Sequence, residues 1–159
     1  MDFPVSFGFG LAWRPMDPLT LSLDYMRVEW PDFVFTDEAG DKYSVITSLP
    51  ANDNGKADVG ATNTVRFGVE YLFIWPRLVW PVRGGFFYDP EPAAGGTDDY
   101  FGFAVGSGVT FKWITFDIAY VFKFGNDIRP SNIPDIRTLE DARADVRQHT
   151  LLFSIVARF

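Results

Sequence analysis

Hydrophobic residues in this chain recur at alternate positions in seven separate stretches. In the first, Val5, Phe7, Phe9, Leu11 and Trp13 share one parity, while Ser6, Gly8, Gly10 and Ala12 share the other. That is the period-two pattern of a strand with one greasy face and one thin face. The second stretch sets Leu19, Leu21, Leu23 and Tyr25 against Thr20, Ser22, Asp24 and Met26 and runs on to Trp30. The third, Asn63 to Trp75, sets Val65, Phe67, Val69, Tyr71 and Phe73 against Thr64, Arg66, Gly68, Glu70 and Leu72. The fourth, Leu78 to Tyr88, carries Pro81, which lacks a backbone donor and predicts a bulge or an unpaired position. The fifth, Phe101 to Trp113, turns Phe103, Val105, Val109 and Phe111 to one side and Gly102, Ala104, Gly106, Gly108 and Lys112 to the other. In the sixth, Phe116, Ile118, Tyr120, Phe122 and Phe124 oppose Thr115, Asp117, Ala119, Val121 and Lys123. The last, Asp145 to Phe159, alternates Leu151, Phe153, Ile155, Ala157 and Phe159 with Thr150, Leu152, Ser154, Val156 and Arg158.

The connections alternate as strictly as the residues do. Short turns at Arg14–Pro18, Pro76-Arg77 and Trp113-Ile114 follow every odd strand, and long polar loops at 31–62, 89–99 and 125–144 follow every even one. Strands that cross a bilayer at a tilt need about 9–11 residues, and outer-membrane barrels are wired with short turns on the periplasmic side and long loops outside. An apolar-alternating strand ending on an aromatic residue is how the last strand of such a barrel usually closes. Trp13, Trp75, Trp80 and Trp113 all lie beside the short turns, so the pattern predicts one aromatic girdle at that interface. The expected fold is all-β: an antiparallel sheet of transmembrane β-barrel type, seven strands in one domain over 1–159. Seven strands in sequence leave the first and last running the same way, so they cannot close an all-antiparallel barrel. The Pro76-Arg77 turn sets Glu70 opposite Arg83.

Composition agrees with strands and excludes helices as the means of crossing. Of the 159 residues, 47% are hydrophobic and 18% aromatic, with 17 Phe and 5 Trp, yet no apolar run reaches the length of a transmembrane helix. The opening residues MDFPVSFGFG lack the basic start and unbroken apolar core of a secretory signal. The expectation is therefore a removed leader or a piece of a longer chain. A net charge of −7 argues against a nucleic-acid partner, and the absence of cysteine excludes disulfides and thiolate metal sites.

Candidate chemistry is sparse. His149 is the only histidine, and Ser154 and Asp145 are strung along its strand rather than gathered round it, so no catalytic residues are assigned and the chain is not expected to be an enzyme. The acidic segment TDEAGDK lacks EF-hand spacing; no metal and no cofactor is expected. The charged residues of the thin face are more informative. Asp24, Arg66, Glu70, Arg83, Asp117 and Lys123 point away from the greasy side, and a Lys or Arg facing lipid at mid-membrane would cost about 2–4 kcal/mol, so the barrel reading turns them to a lumen. There they either satisfy one another or hold a plug or a ligand carboxylate, with Arg66, Arg83 and Lys123 as anion partners. Glycines on the first and fifth strands leave room for an acyl chain or plug, or provide kinks for curvature.

The segments SFGFGLAWRP from Ser6, LTLSLDY at 19–25, VRFGVEY at 65–71, RGGFFYDPEP at 83–92, FDIAY at 116–120 and the final Phe159 together resemble the carboxyl-terminal half of the outer-membrane long-chain fatty acid transporter family (FadL-like, OMPP1/TodX). The resemblance implies half of a 14-stranded barrel, an even count of the kind bacterial barrels use. It also implies passive transport of hydrophobic molecules in the bacterial outer membrane, in contact with outer-membrane lipid and lipopolysaccharide. Phe153 and Phe159 would then be the assembly signal read by the barrel-assembly machinery. Two other readings stay open from the residues alone. One is a soluble or surface lipid-binding barrel, lipocalin-like, with the aromatic face turned inward; the other is a structural barrel or adhesin acting through its loops.

Overall fold

The computed structural model describes residues 1–128 and 143–158 of the chain. The seven alternating stretches form the seven strands of a single sheet: β1 (Ser6–Met16), β2 (Leu19–Val28), β5 (Thr62–Trp75), β6 (Leu78–Tyr88), β9 (Phe101–Phe111), β10 (Ile114–Ile128) and β11 (Ala144–Ala157). Two small hairpins sit within the loops, β3 (Val34–Thr36) with β4 (Lys42–Ser44) and β7 (Glu91–Ala93) with β8 (Gly96–Asp98). The β7–β8 hairpin lies in a segment read as plain loop.

Every pairing in the large sheet is antiparallel and joins strands adjacent in the meander. The register follows from the tight turns. Trp75 pairs with Leu78 across Pro76-Arg77, and one register holds from there to Val65 opposite Tyr88. Phe111 pairs with Ile114, with Lys112 in the left-handed region at φ 54° closing the turn. Between β1 and β2 the register slips between Trp13 and Met16, absorbing Arg14 and Pro15; strand proline is tolerated at such an irregularity. Pro81 causes no slip. It stays opposite Leu72 on β5, while the β6–β9 ladder skips Trp80 and Pro81 and resumes in the same register from Val79 to Val82. The missing donor costs ladder pairing on one side only.

Several boundaries differ from the sequence reading, and the tight turn after β9 is Lys112-Trp113 rather than Trp113-Ile114, because Phe111 pairs with Ile114. β2 stops at Val28 rather than Trp30, because Pro31 opens a 3₁₀ turn over Trp30–Asp32. β10 runs to Ile128, so the third long loop begins after that residue rather than at Gly125. β1 runs on to Met16, which shortens the first turn. Residues 129–142 of the predicted 125–144 loop, and Phe159, lie outside the described residues.

The sheet is open. β1 and β11 are its edges, and among the described residues they do not pair with each other, so the strands do not close into a barrel. Apolar burial is displaced from the sheet to the loops: Val34, Ala57 and Val59 form the buried cluster, with Trp30, Ile46 and Ala51 packed against it. Loops 29–62 and 89–99 are tied together by the Val59–Ala94 bridge and by hydrogen bonds from Gly60 N to Gly96 O and from Gly95 N to Asp58 O. The strands' large apolar side chains, by contrast, stay largely exposed, Phe86 and Phe153 at 71% each. Among the described residues no helix is long and apolar enough to cross a membrane.

Candidate functional site

Alternation places Asp24, Arg66, Glu70, Arg83, Asp117 and Lys123 on one face, and the pairing carries them across the sheet in two groups. Glu70 is directly opposite Arg83. The Arg83 Nε donates to Glu70 Oε2 at 2.6 Å, and its Nη1 donates to Asp117 Oδ1 at 2.8 Å. To reach Asp117 on β10 the arginine crosses β9, where its opposite residue is Gly106 and that of Asp117 is Gly108. A Cβ at Gly108 would collide with Asp117 Oδ1 and the Phe116 carbonyl oxygen. With Arg83 about half exposed, each ion pair contributes at most about 1 kcal/mol; the effect is to hold the guanidinium flat across three strands.

The second group gathers at the loop end. Asp24, Arg66, Phe87, Gly102, Lys123 and Gln148 stand opposite one another in a single row across six strands. Asp89, just beyond β6, straddles the two cations, its Oδ1 3.4 Å from Arg66 Nη2 and its Oδ2 3.7 Å from Lys123 Nζ. Lys123 also bonds Glu91 Oε1 at 2.7 Å and lies 4.2 Å above the Tyr100 ring. Its side chain is only 18% exposed, which fits a cation that has exchanged water for carboxylates and a ring. An open depression of about 280 Å³ remains between Arg66, Phe87, Asp89, Val121, Lys123, Gln148 and Thr150. A second one, about 340 Å³, lies along Arg83, Gly106, Asp117, Leu152 and Ser154. Asp24 faces Arg66 across the strands but makes no ion pair among the described residues.

At Gly10, Gly68 and Gly102 the space above the thin face is already taken by neighbouring side chains. A Cβ at Gly10 would come within 2.6 Å of Asp24 Oδ1, one at Gly68 within 2.6 Å of Ser22 Oγ, and one at Gly102 would collide with the Phe87 ring. Neighbouring side chains already lie over them. Glycine here lets larger groups fold flat across the next strand.

The opposite face is apolar and rich in aromatic side chains. Trp13, Trp75, Trp80 and Trp113 are all exposed at the end that carries the tight turns, and Phe73 stacks on Trp80 at 5.1 Å between centroids. A second belt at the loop end escaped the sequence reading. Tyr25 OH donates to Asn63 Oδ1 at 2.8 Å, Tyr88 OH to Asp99 Oδ1 at 2.6 Å, and Tyr120 OH lies 2.6 Å from His149 Nδ1. From Trp80 to Tyr88 the strand spans about 26 Å, which at the tilt of about 35–45° usual in outer-membrane barrels rises about 20 Å, somewhat less than their apolar band of about 25 Å. Between the belts this face carries no Asp, Glu, Lys or Arg; its charges Arg27, Asp145 and Arg147 lie at the loop end. The polar residue between the belts that matters is Ser107. It accepts from Trp80 Nε1 at 2.7 Å and donates to the Pro81 carbonyl at 3.1 Å, so it answers the gap that Pro81 leaves in the ladder.

His149 therefore sits on the aromatic face with Tyr120, away from Ser154 on the other face of β11. Among the described residues no group of three or more His, Asp or Glu side chains could hold a metal ion. Asp89 and Glu91 were read as loop residues; only the chain's return over the thin face makes them part of the site. No protein-family model, no curated protein and no solved structure matches this chain.

Proposed function

We propose that this chain forms part of the wall of a bacterial outer-membrane β-barrel, in the manner of the FadL-like transporters it resembles, and that the barrel passes hydrophobic molecules such as long-chain fatty acids without covalent chemistry. The observation that carries this is the aromatic face: seven strands leave it uncovered, while the buried apolar cluster is in the loops. Exposed apolar patches on monomeric soluble proteins are normally no larger than a few hundred Å², and lipid is the solvent that suits a continuous face of this kind. Aromatic belts at both ends, no charge between them, and the Arg83 and Lys123 ion pairs on the other face support the same orientation. In it the Arg83 and Lys123 groups line the path, the loops face outward, and the partners are outer-membrane lipid, lipopolysaccharide, the assembly machinery and a hydrophobic solute. A lipocalin-like barrel would instead have to enclose the aromatic face and turn the ion-pair network to bulk water.

The test is reconstitution. The protein refolded with phospholipid vesicles is expected to float with them, to resist protease along its strands and to show heat-modifiable gel mobility. Vesicles holding it should then take up a fluorescent long-chain fatty acid faster than empty ones. A protein that stays monomeric and lipid-free in the aqueous phase sinks the membrane reading; one that inserts without speeding uptake is a structural barrel.

A further inference from the structure

Arg147 is an isolated cation in an apolar setting. Of the two arginines on the aromatic face, Arg27 is held by Glu29, whereas Arg147 makes no ion pair among the described residues. It projects beside Phe124, its opposite residue on β10. Two residues along the same face, about 6.7 Å away, His149 lies opposite Phe122 with ring centroids 4.8 Å apart. The Tyr120 hydroxyl occupies the His149 Nδ1. With that hydroxyl as donor, the neutral ring carries its proton on Nε2, and the protonated ring carries one there as well. In both states a second donor accompanies the guanidinium, and Nε2 has no partner among the described residues. Asp145 is the neighbouring acid, one step further toward the loops, and it too makes no ion pair among the described residues.

The height of this pair decides its ligand. Arg147 and His149 lie just beyond the tyrosine belt on the loop side, where a lipid-facing surface passes from acyl chains to headgroups. We infer that Arg147, His149 and Tyr120 form a binding site for the phosphate of an anionic lipid headgroup, with the lipid's chains lying along Leu151, Phe153 and Ile155. A planar guanidinium offers paired donors to phosphate oxygens, the imidazole adds one, and the apolar track below accommodates the chains. The inference rests on the membrane orientation proposed above.

The test compares the intact chain with Arg147→Gln/His149→Gln and with Arg77→Gln, a control at the tight-turn end, all refolded in neutral detergent micelles. Flotation with vesicles and heat-modifiable mobility report folding and insertion; native mass spectrometry reports retained lipid. The probes are a monophosphorylated lipid A, the same lipid with its phosphate removed, and inorganic phosphate. The intact chain and Arg77→Gln should retain the phosphorylated lipid about tenfold more tightly than the dephosphorylated one, and the double variant should lose that preference. Equal retention by the intact chain and the double variant, or equal loss with Arg77→Gln, overturns the site. So does inorganic phosphate binding as well as the lipid does, which would mark an anion site without a lipid. Should the double variant fail to fold, Arg147→Lys must keep part of the preference and Arg147→Gln alone must lose most of it, or the site falls. Failure of the intact chain to insert defeats the membrane reading, and this inference with it; insertion without phosphate preference defeats only the inference.

Discussion

Replacing Ser107 by alanine should destabilise the protein, although it makes the aromatic face uniformly apolar. The hydroxyl is the partner of two groups at once, the Trp80 indole N–H at 2.7 Å and the Pro81 carbonyl at 3.1 Å. Pro81 interrupts the β6–β9 ladder, and in lipid no water can replace the serine. At about 1 kcal/mol net for each hydrogen bond, Ser107→Ala should cost about 2 kcal/mol. With a urea dependence of about 2 kcal/mol per molar, the unfolding midpoint should fall by about 1 M. The assay is urea unfolding in vesicles followed by tryptophan emission, with Ser154→Ala on the thin face as the comparison and Ser107→Thr, which keeps the hydroxyl, as the rescue. A hydropathy argument gives the opposite sign, since it scores the removal of a hydroxyl from lipid as a gain. An unchanged or raised midpoint for Ser107→Ala, or a threonine variant no better than alanine, would refute the hydrogen-bond account and the placement of this face in lipid.

Phe153→Asp should abolish vesicle insertion while Ser154→Asp leaves most of it, because only Phe153, 71% exposed, faces the aromatic side; equal folding yields would mean that the faces are reversed. Gly102→Ala, whose Cβ would meet the Phe87 ring and lie 2.5 Å from the Phe122 carbonyl oxygen, should lose about 1–3 kcal/mol. Gly84→Ala, with its nearest neighbour 3.7 Å away, should lose less than 1 kcal/mol in the same unfolding experiment. The Tyr100 hydroxyl, outside the strands, is pushed up to about 12 by burial and by Glu91 and Asp98. A raised acid pKa in the folded state favours the neutral form, so its contribution is intact below pH 10 and is lost as the pH rises from about 10 to about 12. Alkaline unfolding in that window should be flatter for Tyr100→Phe, and identical pH profiles would rule the tyrosine out as the cause.

The strand pattern and the sheet register were legible because alternation and turn length act locally. Pro76-Arg77 alone fixed Glu70 against Arg83. The end of β2 was read too far because Trp30 continues the hydrophobic run, while the conformational preset of Pro31 decides against it. Asp89 could not be read as a site residue: its role depends on the chain folding back over Arg66 and Lys123, a contact between segments far apart in sequence. Asp117 was assigned to the right face, but its partnership with Arg83 spans an intervening strand and depends on glycine at Gly108, whose contribution is the absence of a side chain. The tyrosine belt was missed for a similar reason. Tyr25, Tyr88 and Tyr120 read as ordinary members of a greasy face until their hydroxyls are seen bonded toward the loops.

The two open edges restrict what can complete this sheet. β1 and β11 both run from the loop end to the tight-turn end, so a completing segment that keeps antiparallel seams on both sides must begin and end on strands running the other way, and must therefore contain an odd number of them. A second copy of the chain in the same membrane orientation meets that parity with its own seven strands but fails the direction requirement: its β1 would lie parallel to the first copy's β11, and inverting it would send its loops to the opposite side. Strand direction thus separates a wall completed by a different segment from one completed by duplication, before any side chain at the seam is considered.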